Sequence, residues 1–125
     1  MRKSDLFKLI SAIKNLSIDE EPIIVGSQSA HAVTNHIPEI AKKSIECDFL
    51  FRSGSAELRE MVNRSLGVFS VYQDENGFYA DAIGLATVVL PVGWDSRLNP
   101  LHYSTNRRFS PKFHRIKHLS RDRDP

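Results

Sequence analysis

Two short segments, Val25-Gly26-Ser27-Gln28-Ser29 and Ile45-Glu46-Cys47-Asp48-Phe49, decide how the rest of the chain is read. The first closes the apolar run Pro22 to Val25, most simply a buried strand, with a glycine turn that opens a helix from Ser27 to about His36. The second lies in Ser44 to Phe51, which alternates. Ile45, Cys47, Phe49 and Phe51 face one way, and Glu46, Asp48 and Leu50 face the other. The expected order is strand, glycine turn, short helix, then a strand with two carboxylates on one face.

That order has a chemical reading. Glu46 and Asp48 stand about 7 Å apart at their Cα atoms by strand geometry. Hard divalent cations prefer such oxygen ligands, and Mg²⁺ uses one or two carboxylates together with substrate phosphates. Gly26 lets the backbone approach a phosphate closely, and the Ser27 hydroxyl and the amides of Ser27 and Gln28 are the expected donors at the helix N-terminus. A third carboxylate would complete a two-metal cage, and Asp81 is the candidate. Acid-x-acid on a strand is commonly a solvated face, and a Gly-Ser turn is commonly a helix entry. The two in succession are more specific than either.

Outward from this centre, Leu6, Phe7, Leu9, Ile10, Ile13 and Leu16 make one stripe of an N-terminal helix, with Ser4 or Asp5 as its cap. Pro38 ends the helix that starts at the glycine turn. Ser55 caps a helix from Ala56 to Leu66, with Leu58, Met61, Val62 and Leu66 inward. Val68 to Tyr72 and Phe78 to Ile83 are expected as two strands of a hairpin, joined by a loop ending in Asn76-Gly77. Thr87 to Leu90 is β-prone, Pro91 to Trp94 turns, and Leu98 to Tyr103 reads as a last strand. The expected fold is α/β or α+β, a small mixed sheet with helices packed mainly on one side.

The chain of 125 residues is one domain at most. Residues 1–106 carry 10 Lys+Arg against 13 Asp+Glu, a net of −3, and residues 107–125 carry 7 against 2, a net of +5. The expected division is a mildly acidic domain over 1–106 and a basic tail over 107–125. No apolar run has bilayer length and no signal peptide is recognised, so no membrane role is expected. The single cysteine, Cys47, excludes an internal disulfide and a multi-cysteine zinc site. A reducing, cytoplasmic setting is the expectation.

The runs Ile-Ile-Val-Gly-Ser-Gln-Ser-Ala (23–30), Ser-Ile-Glu-Cys-Asp-Phe (44–49) and Gly-Phe-Tyr-Ala-Asp-Ala-Ile-Gly (77–84) resemble the minimal nucleotidyltransferases of the DNA polymerase beta superfamily. The stretch Ala86 to Leu98 is similar to bacterial proteins of that group, several of them uncharacterised. The resemblance covers about residues 20 to 103. It implies a nucleotidyltransferase-like mixed sheet, Mg²⁺ or Mn²⁺, a nucleoside triphosphate such as ATP, and transfer of a nucleoside monophosphate to a hydroxyl on a protein, RNA or small molecule. By the same resemblance Gly26, Ser27 and Gln28 hold the nucleotide. Glu46, Asp48 and Asp81 hold metal and do the catalysis, Asp81 helping to activate the acceptor. Glu46 stands where aspartate is common. The resemblance also implies a C-terminally shortened member, a setting in toxin–antitoxin or defence systems, and a homo-oligomer or a cognate antitoxin-like partner.

Other residues read more blandly. His31 and His36 are expected as exposed or capping residues, Cys47 as core, Lys42 and Lys43 as solvated, and Trp94 as a turn anchor. Arg97 could meet phosphate. The tail, with Phe109, Phe113 and His114 among its cations, reads as a partly disordered basic segment. The rival functions are a catalytically inactive interaction module that keeps the fold, and a basic-tailed nucleic-acid-binding protein.

Overall fold

The computed structural model describes residues 1–32, 34, 36–86, 90, 92–104 and 113–119. Pro22–Val25 form β1, every residue of it buried, and Glu46–Phe51 form β2 with alternating burial over its first half. They pair antiparallel, with Ile24 opposite Phe49 and Val25 opposite Asp48. A single register therefore sets the glycine turn after Val25 beside the second acid.

The N-terminal stripe folds as α1, Lys3–Leu16, with Leu6, Leu9, Ile10 and Ile13 buried. It begins ahead of the expected cap. Arg2 takes the cap position, and its backbone N–H donates to the Asp5 carboxylate at 3.2 Å. The Ser17 hydroxyl closes the other end by donating to the Ile13 carbonyl at 2.6 Å. After the 3₁₀ helix Ser27–Ala32 comes the short α2, Glu39–Lys43, which starts directly after Pro38. Ala56–Leu66 form α3, and the Ser55 hydroxyl accepts from the Leu58 N–H as a cap should.

The expected hairpin does not form. Val71–Asn76 is a helix, α4, capped by the Ser70 hydroxyl, which accepts from the Gln73 N–H at 3.1 Å. Gly77 ends it at φ 80°, its N–H donating to the Gln73 carbonyl at 2.7 Å. An Asn-Gly pair supplies the left-handed conformation that a hairpin turn and a helix C-terminus both need, and here the helix uses it. Tyr79–Ala82 then form β3, which runs parallel to β2 rather than antiparallel to a hairpin partner.

The last strand expected over Leu98 to Tyr103 is present as β4, Asn99–Ser104. Residues 87–89 of the expected strand Thr87 to Leu90 lie outside the described residues. So do residues 105–112 and 120–125 of the C-terminal region. Phe113–His118 form β5, which pairs parallel with β1 and antiparallel with β4. The sheet thus extends past residue 106, and this part of the expected tail belongs to the domain.

The five-stranded mixed sheet has the order β3-β2-β1-β5-β4. Its two faces differ. Ile24, Cys47, Phe49, Phe51, Ala80 and Ala82 meet the apolar faces of α1 and α3 in the main core, so these helices pack on one side as expected. Ile23, Val25 and Leu50 face the other way, under Ile83, Leu85, Leu90, Trp94, Leu98 and Leu119. Glu46, Asp48 and Asp81 belong to this second face, away from the two long helices. At the β3 edge, Asn63 of α3 imitates a neighbouring strand. Its Nδ2 donates to the Ala82 carbonyl at 3.0 Å, and the Ala82 N–H donates to its Oδ1 at 2.8 Å.

Candidate functional site

Parallel pairing of β2 with β3 places Glu46 opposite Tyr79 and Asp48 opposite Asp81. Side chains of register partners project from the same face. Glu46, Asp48 and Asp81 each offer a carboxylate oxygen, and the three lie within 4.8 Å of one another. The expected third acid therefore joins the pair, although it arrives by a parallel crossover and not through a hairpin. Three oxygen donors at this separation can hold a metal ion of the hard type. One Asp48 oxygen, Oδ1, is buried with no hydrogen-bond partner. A buried carboxylate oxygen without a donor is costly in a protein, and a cation is one means of satisfying it.

The electrostatics of the bare cluster follow from crowding. Burial, then the hydrogen bond and charge of Glu46, and then the charge of Asp81 push the Asp48 carboxyl up to about 7. Asp81 is also raised, by burial first and then by Glu46. Glu46 moves the other way. Its hydrogen bond with Asp48 is the chief cause, and bonds with Tyr79 and Asp81 act in the same direction. Like charges at this range cannot all ionise cheaply, so without a cation the three carboxyls titrate as one coupled group.

Gly26 adjoins the cluster with φ 76°, in the left-handed region. A Cβ built on it would stand 3.2 Å from Asp48 Oδ2, so glycine is needed both for the turn and for the close approach. The Ser29 hydroxyl braces the turn by donating to the Gly26 carbonyl at 2.7 Å. The turn leads into a 3₁₀ helix of 6 residues, shorter than the helix expected. The phosphate-seat reading then rests on turn amides and the exposed Ser27 hydroxyl, not on the dipole of a long helix.

Gln28 is an expected donor through its amide N–H, but its side chain carries more information. The residue is 1% exposed, Nε2 donates to the Ala41 carbonyl at 2.9 Å, and Oε1 has no partner. Gln28 lines a cleft of about 200 Å³ with Val25, Ser27, Ile40, Ser44, Glu46 and Asp48. Thus Ser27, Gln28, Glu46 and Asp48 open on one space, with Gly26 against Asp48 at its edge. A larger hollow of about 350 Å³ is bordered by Met1, Arg2, Lys3, His31, Thr34, Ile37 and Lys42, and includes none of the acids.

Tyr79 is a member of the cluster that the acid pattern does not point to. Its hydroxyl donates to Glu46 Oε2 at 3.0 Å. The sequence does hold a signal for it, since Tyr79 lies two residues before Asp81 on one strand and so shares its face.

Away from the acids, His31 is buried rather than exposed, with Nε2 donating to the Met1 carbonyl at 3.0 Å, while His36 is exposed. Burial lowers the His31 pKa below its ordinary value. Cys47 is in the helix-facing core, where burial pushes its thiol well up, so it is no nucleophile. Lys42 and Lys43 are exposed, Lys42 within 3.5 Å of Glu39. Trp94 anchors its turn on the sheet and carries the Arg52 guanidinium 5.9 Å from its ring centre. Among the described residues no helix is long and apolar enough to cross a membrane.

No protein-family model, curated protein or solved structure matches the chain.

Proposed function

We propose that this protein is a metal-dependent nucleotidyltransferase that moves a nucleoside monophosphate from a nucleoside triphosphate, ATP being the expected donor, to a hydroxyl acceptor. One observation carries the reading: Glu46, Asp48 and Asp81 converge from two parallel strands within 4.8 Å, beside a glycine turn where a Cβ would crowd Asp48. Mg²⁺ or Mn²⁺ held by these three carboxylates supplies charge neutralisation at the phosphates when bound. The chain's own residues do the rest. Gly26 leaves room for a phosphate against the backbone, and Ser27 donates to it. The acceptor oxygen bonds to the α-phosphorus, the bond from that phosphorus to the β-phosphate bridging oxygen breaks, and pyrophosphate leaves. Asp81 receives the proton of the acceptor hydroxyl. Positioning and charge stabilisation provide most of the acceleration.

Transfer of label from α-labelled nucleoside triphosphates to candidate proteins, RNAs and small molecules, with Mg²⁺ or Mn²⁺, tests the reading. Wild type transfers label and Asp48→Asn does not. Equal label from both proteins sinks the catalytic assignment.

A second reading, an interaction module that keeps the fold, is favoured by a different observation. Phe69 is 91% exposed and held at φ 63°, with Val68 and Val71 exposed beside it. An aromatic side chain kept in solvent on a strained backbone is the kind of feature a partner protein covers. Capture of a cognate partner that Phe69→Ser abolishes and Asp48→Asn leaves intact supports this reading over catalysis.

A further inference from the structure

We infer that Tyr79 is a positioning residue for the metal centre, holding the Glu46 carboxylate in its ligating orientation. The inference rests on the metal-dependent reading above and adds a residue to it. Glu46 and Tyr79 are register partners on neighbouring parallel strands. The Tyr79 N–H donates to the Ile45 carbonyl at 2.9 Å, which ties the two backbones together at this point. The phenol hydroxyl then donates to Glu46 Oε2 at 3.0 Å.

Glu46 needs such a hold more than the other two acids. Its side chain has one more rotatable bond than Asp48 or Asp81, and it is the first residue of its strand. Asp48 lies between β1 and β3 in the sheet, with Gly26 against its Oδ2. Among the described residues, the Ser44 hydroxyl bonds the Glu46 backbone, and the hydroxyl bonded to its carboxylate is that of Tyr79. A rigid ring on a neighbouring strand is a low-entropy means of aiming a flexible carboxylate, and outer-shell hydrogen bonds of this sort orient metal ligands generally. That the cleft is built for a ligand has support independent of the acids. Gln28, 1% exposed, lines it with an unpartnered Oε1.

The test is a Mn²⁺ binding isotherm on the full chain, without nucleotide, for wild type, Tyr79→Phe, Glu46→Asp and the double variant. Tyr79→Phe keeps the ring and removes only the hydroxyl. It is expected to weaken Mn²⁺ by about 10-fold or more, with the melting temperature of the metal-free protein unchanged. In the Glu46→Asp background, where the carboxylate no longer reaches the phenol, removing the hydroxyl is expected to change nothing further. Equal affinity in wild type and Tyr79→Phe overturns the inference and leaves the metal centre standing. A loss of the same size in both backgrounds also overturns it, since Tyr79 would then act by a route other than Glu46. No Mn²⁺ binding by folded wild type sinks both the inference and the metal-dependent reading.

Discussion

Gly26 lies beside Asp48 across the β1–β2 pair: the position a Gly26 Cβ would take is 3.2 Å from Asp48 Oδ2. The turn and the carboxylate are therefore one unit, and the glycine has two jobs. It adopts φ 76° and it leaves the acid unobstructed.

Gly26→Ala and Gly77→Ala separate these jobs. Both glycines have positive φ, 76° and 80°, but nothing lies within 4 Å of a Cβ at Gly77. Each alanine is expected to cost about 1–2 kcal/mol of stability from left-handed strain. Only Gly26→Ala is expected to weaken Mn²⁺ binding and nucleotide transfer as well. Urea denaturation and a metal isotherm on both variants check this. Equal metal affinity in the two would show that the close approach does not matter.

Metal-free stability should depend on pH with two opposing contributions. Asp48 holds its proton up to about 7 in the fold, against 3.8 for the ordinary carboxyl. The folded state therefore binds more protons in that window, and this contribution falls as pH rises from the lower value to the upper one. Asp81 acts in the same direction, and Glu46, whose pKa is lowered, acts in the opposite one, its contribution lost as pH falls through the folded pKa. His31 and His118 have pKa values lowered by burial below 6.5. Their contribution is present above that value and is lost as pH falls through the folded pKa. Asp48→Asn should remove part of the loss on the alkaline side, and His31→Gln part of the loss on the acid side. Thermal melts across pH 4–8, chosen to span about the reference range of these groups, read both. Mn²⁺ competes with the Asp48 proton, so its stabilising effect should grow as pH rises through neutrality.

Asn63 is expected to matter for both fold and site. Its side chain pairs with both backbone groups of Ala82, the residue after Asp81. Asn63→Ala leaves that edge unpaired, at a cost of about 1–3 kcal/mol. Asn63→Asp keeps the acceptor for the Ala82 N–H but sets a carboxylate oxygen against the Ala82 carbonyl oxygen, so its destabilisation should be at least as large. Chemical denaturation ranks the two variants. Weakened Mn²⁺ binding should accompany Asn63→Ala, because β3 carries the third acid.

Phe69→Gly should raise stability. The residue sits at φ 63° and is 91% exposed, so its side chain buries little and its backbone is strained. Glycine relieves about 1 kcal/mol of left-handed strain. A melting temperature above wild type, with unchanged Mn²⁺ affinity, is the expected outcome. A lower melting temperature would show that the ring contributes packing that its exposure does not reveal.

Much of the scaffold is legible in the sequence because it is local. The stripe Leu6, Leu9, Ile10 and Ile13, the Ser55 cap and the alternation through Glu46, Cys47 and Asp48 are properties of a few consecutive residues, and they read correctly. The segment Val68 to Tyr72 misleads, because its β-prone residues outweigh the cap at Ser70 when only neighbours are considered. In the folded chain Val68, Phe69 and Val71 are exposed, and the propensity finds no sheet to satisfy it. The tail misleads in the opposite direction. Phe113–His118 carry too much charge to look like an inner strand, yet they pair between β1 and β4.

By itself, the sequence determined that Glu46 and Asp48 share a face and that a glycine turn precedes them, because strand alternation and backbone freedom are set residue by residue. Only the tertiary structure decided that Asp81 completes the cluster, that Gly26 leaves room beside Asp48 and that Tyr79 bonds Glu46. Each of these contacts crosses between strands far apart in the chain. Register between such strands is chosen by the packing of the whole sheet, through burial of the Ile24, Phe49 and Ala82 face against α1 and α3, and no local pattern encodes it.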